Sequence, residues 1–472
     1  FCRDTPEAVG TFRAAIEKLD YLRDLGINVI ELMPVSEFAG DVSWGYNPAY
    51  PFCVESAYGG PEGLLEFVRE AHARGIAVII DVVYNHFGPS DLGMWQFDGW
   101  SENDLGGIYF YNDWRANTPW GDCRPDYGRE EVRAYLRDNA MMWFEEYGVD
   151  GLRWDMTLFI RTCGGNNPQQ DGIADGWSLM QWINREIHER FPRAITISED
   201  LRDEESLVKS VDSGGAGFNA QWDASFVHPV RQLVITAEDG DRSLKDACRA
   251  VLNQYDGDAF KRVIYSESHD EVANGKARVP TEVDEEDAQG YFPKKRSVLA
   301  AAMVLTSPGV PMLFQGQELL EDEYFRDGVP LDWSKLEAFP GVNRLYRDLI
   351  KLRRNLSGVS AGLMGAHAEV IYIHHEKKLL GYRRWLKGGP GDDVVVLLNF
   401  SNQVHEGIHL PVPNSGLWHL RLNSDSQAYD ESFDGQDCPQ AIDAVEKEDS
   451  GRFLENVSIS PYGYIIYSQS GS

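Results

Sequence analysis

Acidic and basic side chains gather in four short segments, each placed where an apolar run of the chain ends. The segments are Asp81-Val-Val-Tyr-Asn85-His86, Gly151-Leu-Arg153-Trp-Asp155, Ser198-Glu199-Asp200 and Ser268-His269-Asp270-Glu271. Residues i and i+2 of a strand share a face, so Arg153 and Asp155 are expected to point the same way. A guanidinium group lowers the pKa of a neighbouring carboxyl group, and the ionised form that this favours suits a nucleophile.

Glu199 is predicted to have a different electrostatic setting from Asp155. No basic residue lies within two positions of Glu199, so a partly desolvated carboxyl group there would stay protonated and could act as a general acid. Asp270 would be a third carboxylate. Carboxyl groups at neighbouring strand ends can lie about 5–5.5 Å apart, the spacing of retaining glycoside cleavage. Taken singly, each acid is better explained as a structural ion pair or helix cap, and only the set favours catalysis.

Short apolar runs alternate with amphipathic segments over the first two-thirds of the chain, a pattern typical of parallel βαβ units. Strands are predicted at 28–33, 76–83, 149–155, 194–199, 217–223, 262–266 and 310–314, and helices at 11–24, 62–73, 129–147 and 177–191. A closed parallel barrel has eight strands and carries its active site at their carboxyl ends. We therefore predict an α/β fold, a TIM (β/α)8 barrel, whose first strand lies upstream of Phe1 in a longer native chain.

Two further regions depart from this alternation. The connection after the third barrel strand is long and rich in Trp, Tyr and Phe, which predicts a small inserted subdomain whose rings are more often core than sugar platform. Beyond residue 357, alternating runs and Gly/Pro turns predict a C-terminal all-β sandwich of about 110 residues. The predicted domains are 1–87 and 129–357 for the barrel, 88–128 for the subdomain and 358–472 for the sandwich. Lys294-Lys-Arg296 is expected to be surface charge.

Composition limits the classes of partner. The 472 residues are 43% hydrophobic and 25% charged, values of a globular chain, and the net charge of −31 disfavours nucleic acid and anionic membranes. No apolar run is long enough to span a bilayer. The six scattered cysteines favour free thiols in a reducing compartment, hence a cytoplasmic location. His374-His375 lacks matching ligands elsewhere, so neither a metal nor a cofactor is predicted.

The motifs together resemble the α-amylase superfamily of glycoside hydrolases and transglycosylases across nearly the whole chain. Supporting matches are Trp44-Gly-Tyr46-Asn-Pro48 and Gly309-Val-Pro-Met-Leu-Phe-Gln-Gly-Gln-Glu318. The resemblance implies a retaining double displacement on α-glucosidic bonds, with Asp155 as nucleophile, Glu199 as acid and then base, and Asp270 as stabiliser of the distorted ring. It further implies supporting roles, which fall to Arg153 (orienting Asp155), His86 and His269 (bonding hydroxyls in the first subsite), Tyr46 (stacking on that sugar), and Asp81 and Asn85 (supporting the site).

Within the superfamily, Ser268-His-Asp-Glu-Val-Ala-Asn-Gly-Lys276 is similar to glycogen branching enzymes, whereas Glu199-Asp200 is more like maltooligosyl-trehalose hydrolases. Leu158-Phe159 replaces the Lys-His pair that accompanies a calcium site in many α-amylases. The favoured function is 1,4-α-glucan branching on glycogen, starch or maltooligosaccharides. The alternatives are α-amylase-type or trehalose-releasing hydrolysis and, more remotely, a non-catalytic glucan-binding protein.

Overall fold

The computed structural model describes residues 1–3, 9–88, 92–165, 168–435, 437–447 and 451–470. The chain divides into two compact units, one formed by Phe1–Trp222 with Asp327–Pro330 and the other by Asp223–Arg326 with Leu331–Ser472. Among the described residues, none of the helices has the length and apolar content to cross a membrane.

The first unit alternates strands with helices. Its strands are β1 (Val29–Leu32), β2 (Ser36–Phe38), β3 (Pro48–Val54), β4 (Ala77–Val82), β5 (Gly151–Trp154), β6 (Ile195–Ser198) and β7 (Ala220–Trp222). Its α-helices are α1 (Phe12–Ile16), α2 (Leu19–Leu25), α3 (Gly60–Ala73), α4 (Glu130–Glu145), α5 (Leu158–Arg161), α6 (Pro168–Asp171) and α7 (Ala174–Arg190). The helix predicted at 11–24 is two short helices, whereas the other predicted elements recur with slightly different bounds.

A parallel sheet in the order β1-β4-β5-β6-β7 forms the centre of this unit. Every residue of β5 is buried, as a strand covered on both faces requires. The register places Asp81 opposite Arg153, so polar residues of adjacent strands meet at the same level. The antiparallel pair β2–β3 was not predicted, because Pro48 and Pro51 argue against a strand by local pattern.

The second unit holds a parallel strand pair, a set of helices and the C-terminal all-β region. Its strands are β8 (Arg262–Ile264), β9 (Val310–Pro311), β10 (His367–His374), β11 (Leu379–Trp385), β12 (Val394–Asn399), β13 (His405–Val412), β14 (Gly416–Asn423), β15 (Ala441–Lys447), β16 (Gly451–Ile459) and β17 (Tyr464–Ser468). Its α-helices are α8 (Ala224–Ile235), α9 (Leu244–Leu252), α10 (Val279–Val283), α11 (Tyr291–Thr306), α12 (Lys335–Ala338) and α13 (Pro340–Arg353).

The all-β region is an antiparallel sheet in the order β10-β11-β12-β17-β14-β15-β16-β13 that closes over its own core. Residues of β11, β12, β14 and β17 pack against residues of β13 and β16, with Trp418 fully buried among them. This agrees with the predicted C-terminal all-β fold. The strands β13, β15 and β16 were not predicted, since their alternation is interrupted by charged residues and turns.

Helix α11 is buried on nearly all sides, and the prediction that Lys294-Lys-Arg296 is surface charge is wrong. The Lys295 side chain is fully buried, and its Nζ donates to Asp425 Oδ1 at 2.5 Å and to Ser460 Oγ at 3.2 Å. A buried ammonium requires such partners. The pKa of Lys295 is nevertheless lowered, because burial outweighs the attraction of Asp425.

Three buried guanidinium groups converge on the carbonyl end of α11. Arg384, Arg353 and Arg262 donate to backbone carbonyl groups of residues 306–309, the segment that leads from α11 into β9. The last carbonyls of a helix lack partners within the helix and carry partial negative charge. Three different elements, β8, α13 and β11, thus satisfy this helix end together.

Candidate functional site

Backbone hydrogen bonds between neighbouring strands fix where the predicted acids of the first unit lie. The Asp155 N–H donates to the Val82 carbonyl at 3.0 Å, and the Glu199 N–H donates to the Trp154 carbonyl at 3.0 Å. Each acid therefore stands one residue beyond the end of its own strand. Both side chains are buried, so their positions are set by the sheet and not by a mobile loop.

Arg153 joins the carboxyl groups into one cluster. Its Nη1 lies 3.3 Å from Asp155 Oδ1 and also contacts Asp81 Oδ2, while its Nη2 lies 2.6 Å from Glu199 Oε2. The guanidinium group is fully buried and is covered by the Trp222 ring, whose centroid lies 4.3 Å from Cζ. Three carboxyl groups thus share a single cation in a dry environment.

This geometry changes the electrostatics expected from sequence. Arg153 forms ion pairs with both Asp155 and Glu199, although these two acids lie far apart in the chain. Burial and the neighbouring Glu199 raise the pKa of Asp155 well above its usual range, and the opposing effect of Arg153 is smaller. The expectation that Arg153 keeps the pKa of Asp155 low is therefore wrong, because one cation cannot compensate three buried carboxyl groups.

Tyr46, Asn85 and His86 line the same cluster. The Tyr46 hydroxyl donates to Asp81 Oδ2 at 2.6 Å, and Asn85 Nδ2 donates to Asp155 Oδ2 at 3.1 Å. His86 Nε2 lies 2.8 Å from the Tyr46 carbonyl, and its Nδ1 lies 3.1 Å from the Asn85 amide oxygen. Burial lowers the pKa of His86 to about 4, so its ring is uncharged at neutral pH.

The turn after Asp155 is tied to the Glu199 strand. The Met156 N–H donates to Glu199 Oε2 at 3.0 Å, and the Thr157 N–H donates to the Glu199 carbonyl at 2.7 Å. Met156 has a φ of 36°, in a region that a residue with a side chain rarely adopts. This strained turn directs a backbone donor at the Glu199 carboxyl group and so helps to hold it beside Asp155.

Asp200 is directed away from this cluster. It accepts two hydrogen bonds from Arg161, both at 2.7 Å, and both side chains are buried. Thr157 Oγ1 lies 3.3 Å from the same carboxylate. This bidentate pair joins the end of β6 to α5 and has the geometry of a structural ion pair.

His269 and Asp270 belong to the second unit. The His269 ring is buried and its Nε2 lies 3.6 Å from Asp270 Oδ2, whereas 46% of the Asp270 side chain is exposed. The carboxylate of the next residue, Glu271, pairs with Lys276 at 3.0 Å, and the Glu271 backbone N–H donates to Ser268 Oγ at 3.2 Å. Of the nine residues predicted for the site, seven meet in the first unit, whereas His269 and Asp270 lie in the second.

Sequence reasoning did not assign three residues that the structure adds to the cluster. Burial raises the pKa of Glu31, on β1, to about 8, with Asp81 and Glu199 contributing in the same direction. Trp222 covers Arg153, and the Trp120 ring stacks on His86 with centroids 4.5 Å apart. An acid inside the apolar run of β1 was the available signal for Glu31. Trp120 belongs to the aromatic-rich connection, whose rings were expected to be core more often than sugar platform, and no local pattern marks Trp222.

Residues 92–128, the described part of the segment predicted to form a subdomain, expose more of their aromatic side chains than a core would. Phe110 and Tyr111 are buried, but Phe97 is 64% and Trp114 is 65% exposed. The fully buried Arg124 ties the subdomain to the segment after the acid cluster by donating to the carbonyls of residues 117, 162 and 163. Among the described residues, no group of three or more His, Cys, Asp or Glu side chains has the arrangement of a metal site.

Comparison with known proteins agrees with this architecture. The family model of the α-amylase catalytic domain matches residues 1–103 and 98–338, and that of the α-amylase C-terminal all-beta domain matches residues 372–470. An α-amylase from Geobacillus thermoleovorans, solved with acarbose, superposes with a TM-score of 0.72 at 19% identity, covering 98% of this chain and 93% of that one. This likeness confirms the predicted fold class, a barrel of the α-amylase type followed by an all-β domain.

Curated relatives point to the same family. A 1,4-alpha-glucan branching enzyme from Pseudoalteromonas atlantica is 30% identical over 430 residues, which is 88% of this chain and 57% of the relative. One from Photobacterium profundum is 31% identical over 455 residues, 89% of this chain and 59% of the relative. The chain thus spans about three-fifths of the length of these relatives. Because the catalytic-domain model matches more than half of its residues, this chain belongs to the α-amylase family.

Proposed function

We propose that this chain is a retaining α-glucan-active enzyme and that its reaction is 1,4-α-glucan branching. The observation that carries the proposal is the arrangement of Asp155 and Glu199, which extend from adjacent parallel strands and contact different nitrogens of one buried guanidinium group. Two buried carboxyl groups of this kind supply the nucleophile and the acid that retaining glycoside cleavage requires.

In the first half-reaction, Asp155 attacks the anomeric carbon of an α-1,4 linkage. The bond from that carbon to the glycosidic oxygen breaks, and the Glu199 carboxyl proton passes to the departing 4-oxygen. The product is a β-glucosyl ester of Asp155. This step requires an ionised Asp155 and a protonated Glu199.

In the second half-reaction, the Glu199 carboxylate accepts the proton of an incoming hydroxyl group. The oxygen of that hydroxyl attacks the anomeric carbon and releases the Asp155 carboxylate, which restores the α configuration. A sugar 6-hydroxyl gives an α-1,6 branch, whereas water gives hydrolysis. Arg153 and Asn85 hold Asp155 in place through both steps, because each contacts a different oxygen of its carboxyl group.

Asp270 and His269 are proposed to bind hydroxyl groups of the distorted sugar, by their likeness to the family motif. Tyr46 is proposed to stack on the sugar that Asp155 attacks, with its hydroxyl hydrogen-bonded to Asp81. The exposed Asp270 carboxylate leaves oxygen atoms accessible for such a contact. These roles rest on the motif and on the placement of each residue at the end of a strand or in the loop beyond it.

Two observations favour branching over hydrolysis. The curated relatives described above are named as branching enzymes. In addition, the Glu199-Asp200 pair, which sets the sequence apart from most branching enzymes, is not evidence for hydrolysis, because Asp200 has a structural role. Asp200 forms a buried bidentate ion pair with Arg161, a residue outside the acid cluster. Position 200 is therefore not expected to decide which acceptor attacks the ester.

The test is to incubate the protein with amylose and to follow iodine colour, reducing ends and the anomeric proton signals of α-1,6 linkages. Branching lowers the iodine colour with few new reducing ends and produces α-1,6 signals. A parallel rise in reducing ends without α-1,6 signals would replace branching by hydrolysis. Binding of amylose without any change in it would support the non-catalytic alternative.

Variants of the two acids test the assigned roles. We expect Asp155→Asn and Glu199→Gln each to lower turnover by at least about a thousandfold while the fold is retained. Asp212→Asn is the matched control, because its side chain is 95% exposed and it should keep wild-type activity. Near-normal turnover of either acid variant would overturn the role of that residue.

A further inference from the structure

Trp120, in the aromatic-rich connection that follows β4, stacks on His86, which lines the acid cluster. Its ring lies almost parallel to the His86 ring, with an interplanar angle of 14° and a centroid separation of 4.5 Å. His86 in turn contacts Tyr46 and Asn85 through its two ring nitrogens. Trp120 therefore borders the residues proposed to hold the reacting sugar.

The Trp120 ring is both held and accessible. The Phe159 ring meets it at 81° with centroids 5.3 Å apart, and His86 covers one of its faces. Even so, 38% of the residue is exposed. For a ring that is clamped by two others, this exposure leaves a fixed apolar surface beside the cluster, and aromatic faces bind the apolar surface of a sugar ring.

The backbone around Trp120 is a tight turn. Its N–H donates to Thr118 Oγ1 at 3.2 Å, and Thr118 and Gly121 exchange backbone hydrogen bonds of 2.9 and 3.2 Å. Gly121 adopts a φ of 134°, which a residue with a Cβ rarely reaches. A rigid turn keeps the indole in place before any ligand arrives, so little conformational entropy is lost on binding.

Phe159 belongs to the dipeptide Leu158-Phe159, at which the sequence departs from many α-amylases. The structure gives this departure a role, since the Phe159 ring buttresses Trp120 and the Phe159 carbonyl accepts from the buried Arg124. Phe159 and Trp120 therefore pack together, and the Trp120 ring covers His86.

We propose that Trp120 is a sugar-stacking residue that holds a second glucosyl unit of the α-glucan chain, next to the unit bound by the acid cluster. The proposal rests on the proposed function, because it takes the α-glucan as the substrate. It makes Trp120 a determinant of how tightly and how far along the chain the substrate is bound. It assigns to the inserted subdomain a direct contact with substrate.

The test uses maltoheptaose and the Asp155→Asn variant, whose lack of turnover separates binding from chemistry. We expect the added change Trp120→Ala to weaken binding about tenfold by calorimetry, the size of one stacking contact, and Trp120→Phe to stay within about threefold. Trp182→Ala is the matched control, since Trp182 is equally exposed at 38% and lies on helix α7, where Arg133 Cζ is 5.7 Å from its ring centroid. Its affinity should not change.

A second measurement does not depend on the stability of an alanine variant. In protein labelled with 5-fluorotryptophan, the resonance that Trp120→Phe removes is expected to shift on titration with maltoheptaose. A resonance that stays in place at saturation, an unchanged affinity of Trp120→Ala, or failure of the Asp155→Asn protein to bind maltoheptaose would each overturn the proposal. Wild-type protein that leaves amylose unaltered would instead remove the proposed function, so the two failures are distinguishable.

Discussion

Replacing Arg153 by methionine should destabilise the protein in a strongly pH-dependent way. Methionine fills a similar volume, but it removes the cation that contacts Asp81, Asp155 and Glu199. Removing one partner of a buried ion pair typically costs about 3–5 kcal/mol, because the remaining charge is left uncompensated. Here three carboxyl groups lose the same partner.

The carboxyl groups can escape part of this cost by binding protons. Without Arg153, the pKa of Asp155, already raised in the native protein, rises further, whereas its value in the unfolded chain is unchanged. The native state then binds more protons than the unfolded state, so the stability of the variant falls as pH rises from the unfolded pKa towards the native one. The deficit is therefore expected to be larger at pH 8 than at pH 5.

The assay is urea denaturation followed by tryptophan fluorescence at pH 5 and pH 8, with the wild type measured in parallel. Arg69→Met is the control, because the Arg69 side chain is 71% exposed and its ion pairs lie at the surface. That variant should change stability by less than about 0.5 kcal/mol at either pH. An Arg153→Met deficit that is equal at both pH values, or below about 1 kcal/mol at pH 8, would refute the argument that the guanidinium compensates the three acids.

Other predictions follow from single contacts. Because the native pKa of Glu31 is raised to about 8, wild-type stability should fall as pH rises from 4.5 through 8, and Glu31→Gln should lessen that fall in thermal melts at pH 5 and 9. Lys295→Met should lower the free energy of unfolding by about 3–5 kcal/mol, and adding Asp425→Leu should restore part of it, as measured by urea denaturation. Gly176→Ala would place a Cβ 1.9 Å from the Ile160 carbonyl, so we expect a loss of about 1–3 kcal/mol in stability and a lower turnover on amylose, with wild-type values contradicting the close packing.

The sheet and the identity of the strand-end acids could be predicted from sequence because both depend on local pattern. Buried parallel strands read as continuous apolar runs, and polar residues at their ends stand out against them. The strand predicted at 149–155 accordingly recurs as Gly151–Trp154, with Arg153 inside it and Asp155 just beyond. The strand pair β2–β3 was missed because its prolines hide the pattern.

What sequence could not predict are contacts between distant segments. Arg153 on β5 pairs with Glu199, which follows the adjacent strand β6, so this cation does not belong to Asp155 alone. Lys295 pairs with Asp425, which is 130 positions away in the chain, so the residues around Lys295 predict a surface charge. Trp120 stacks on His86 only because a tight turn brings the subdomain back to the sheet. In each case the side chain's chemistry was visible and its partner was not.

The convergence of Arg262, Arg353 and Arg384 on residues 306–309 bears on how the chain could be divided for engineering. Removing the C-terminal all-β region would remove Arg384 from this junction and would leave Lys295 without its counter-ion Asp425. Truncation near residue 357 should therefore yield an insoluble fragment and not a smaller enzyme. A chimera that takes its C-terminal all-β region from a relative would need to retain Arg384 and Asp425.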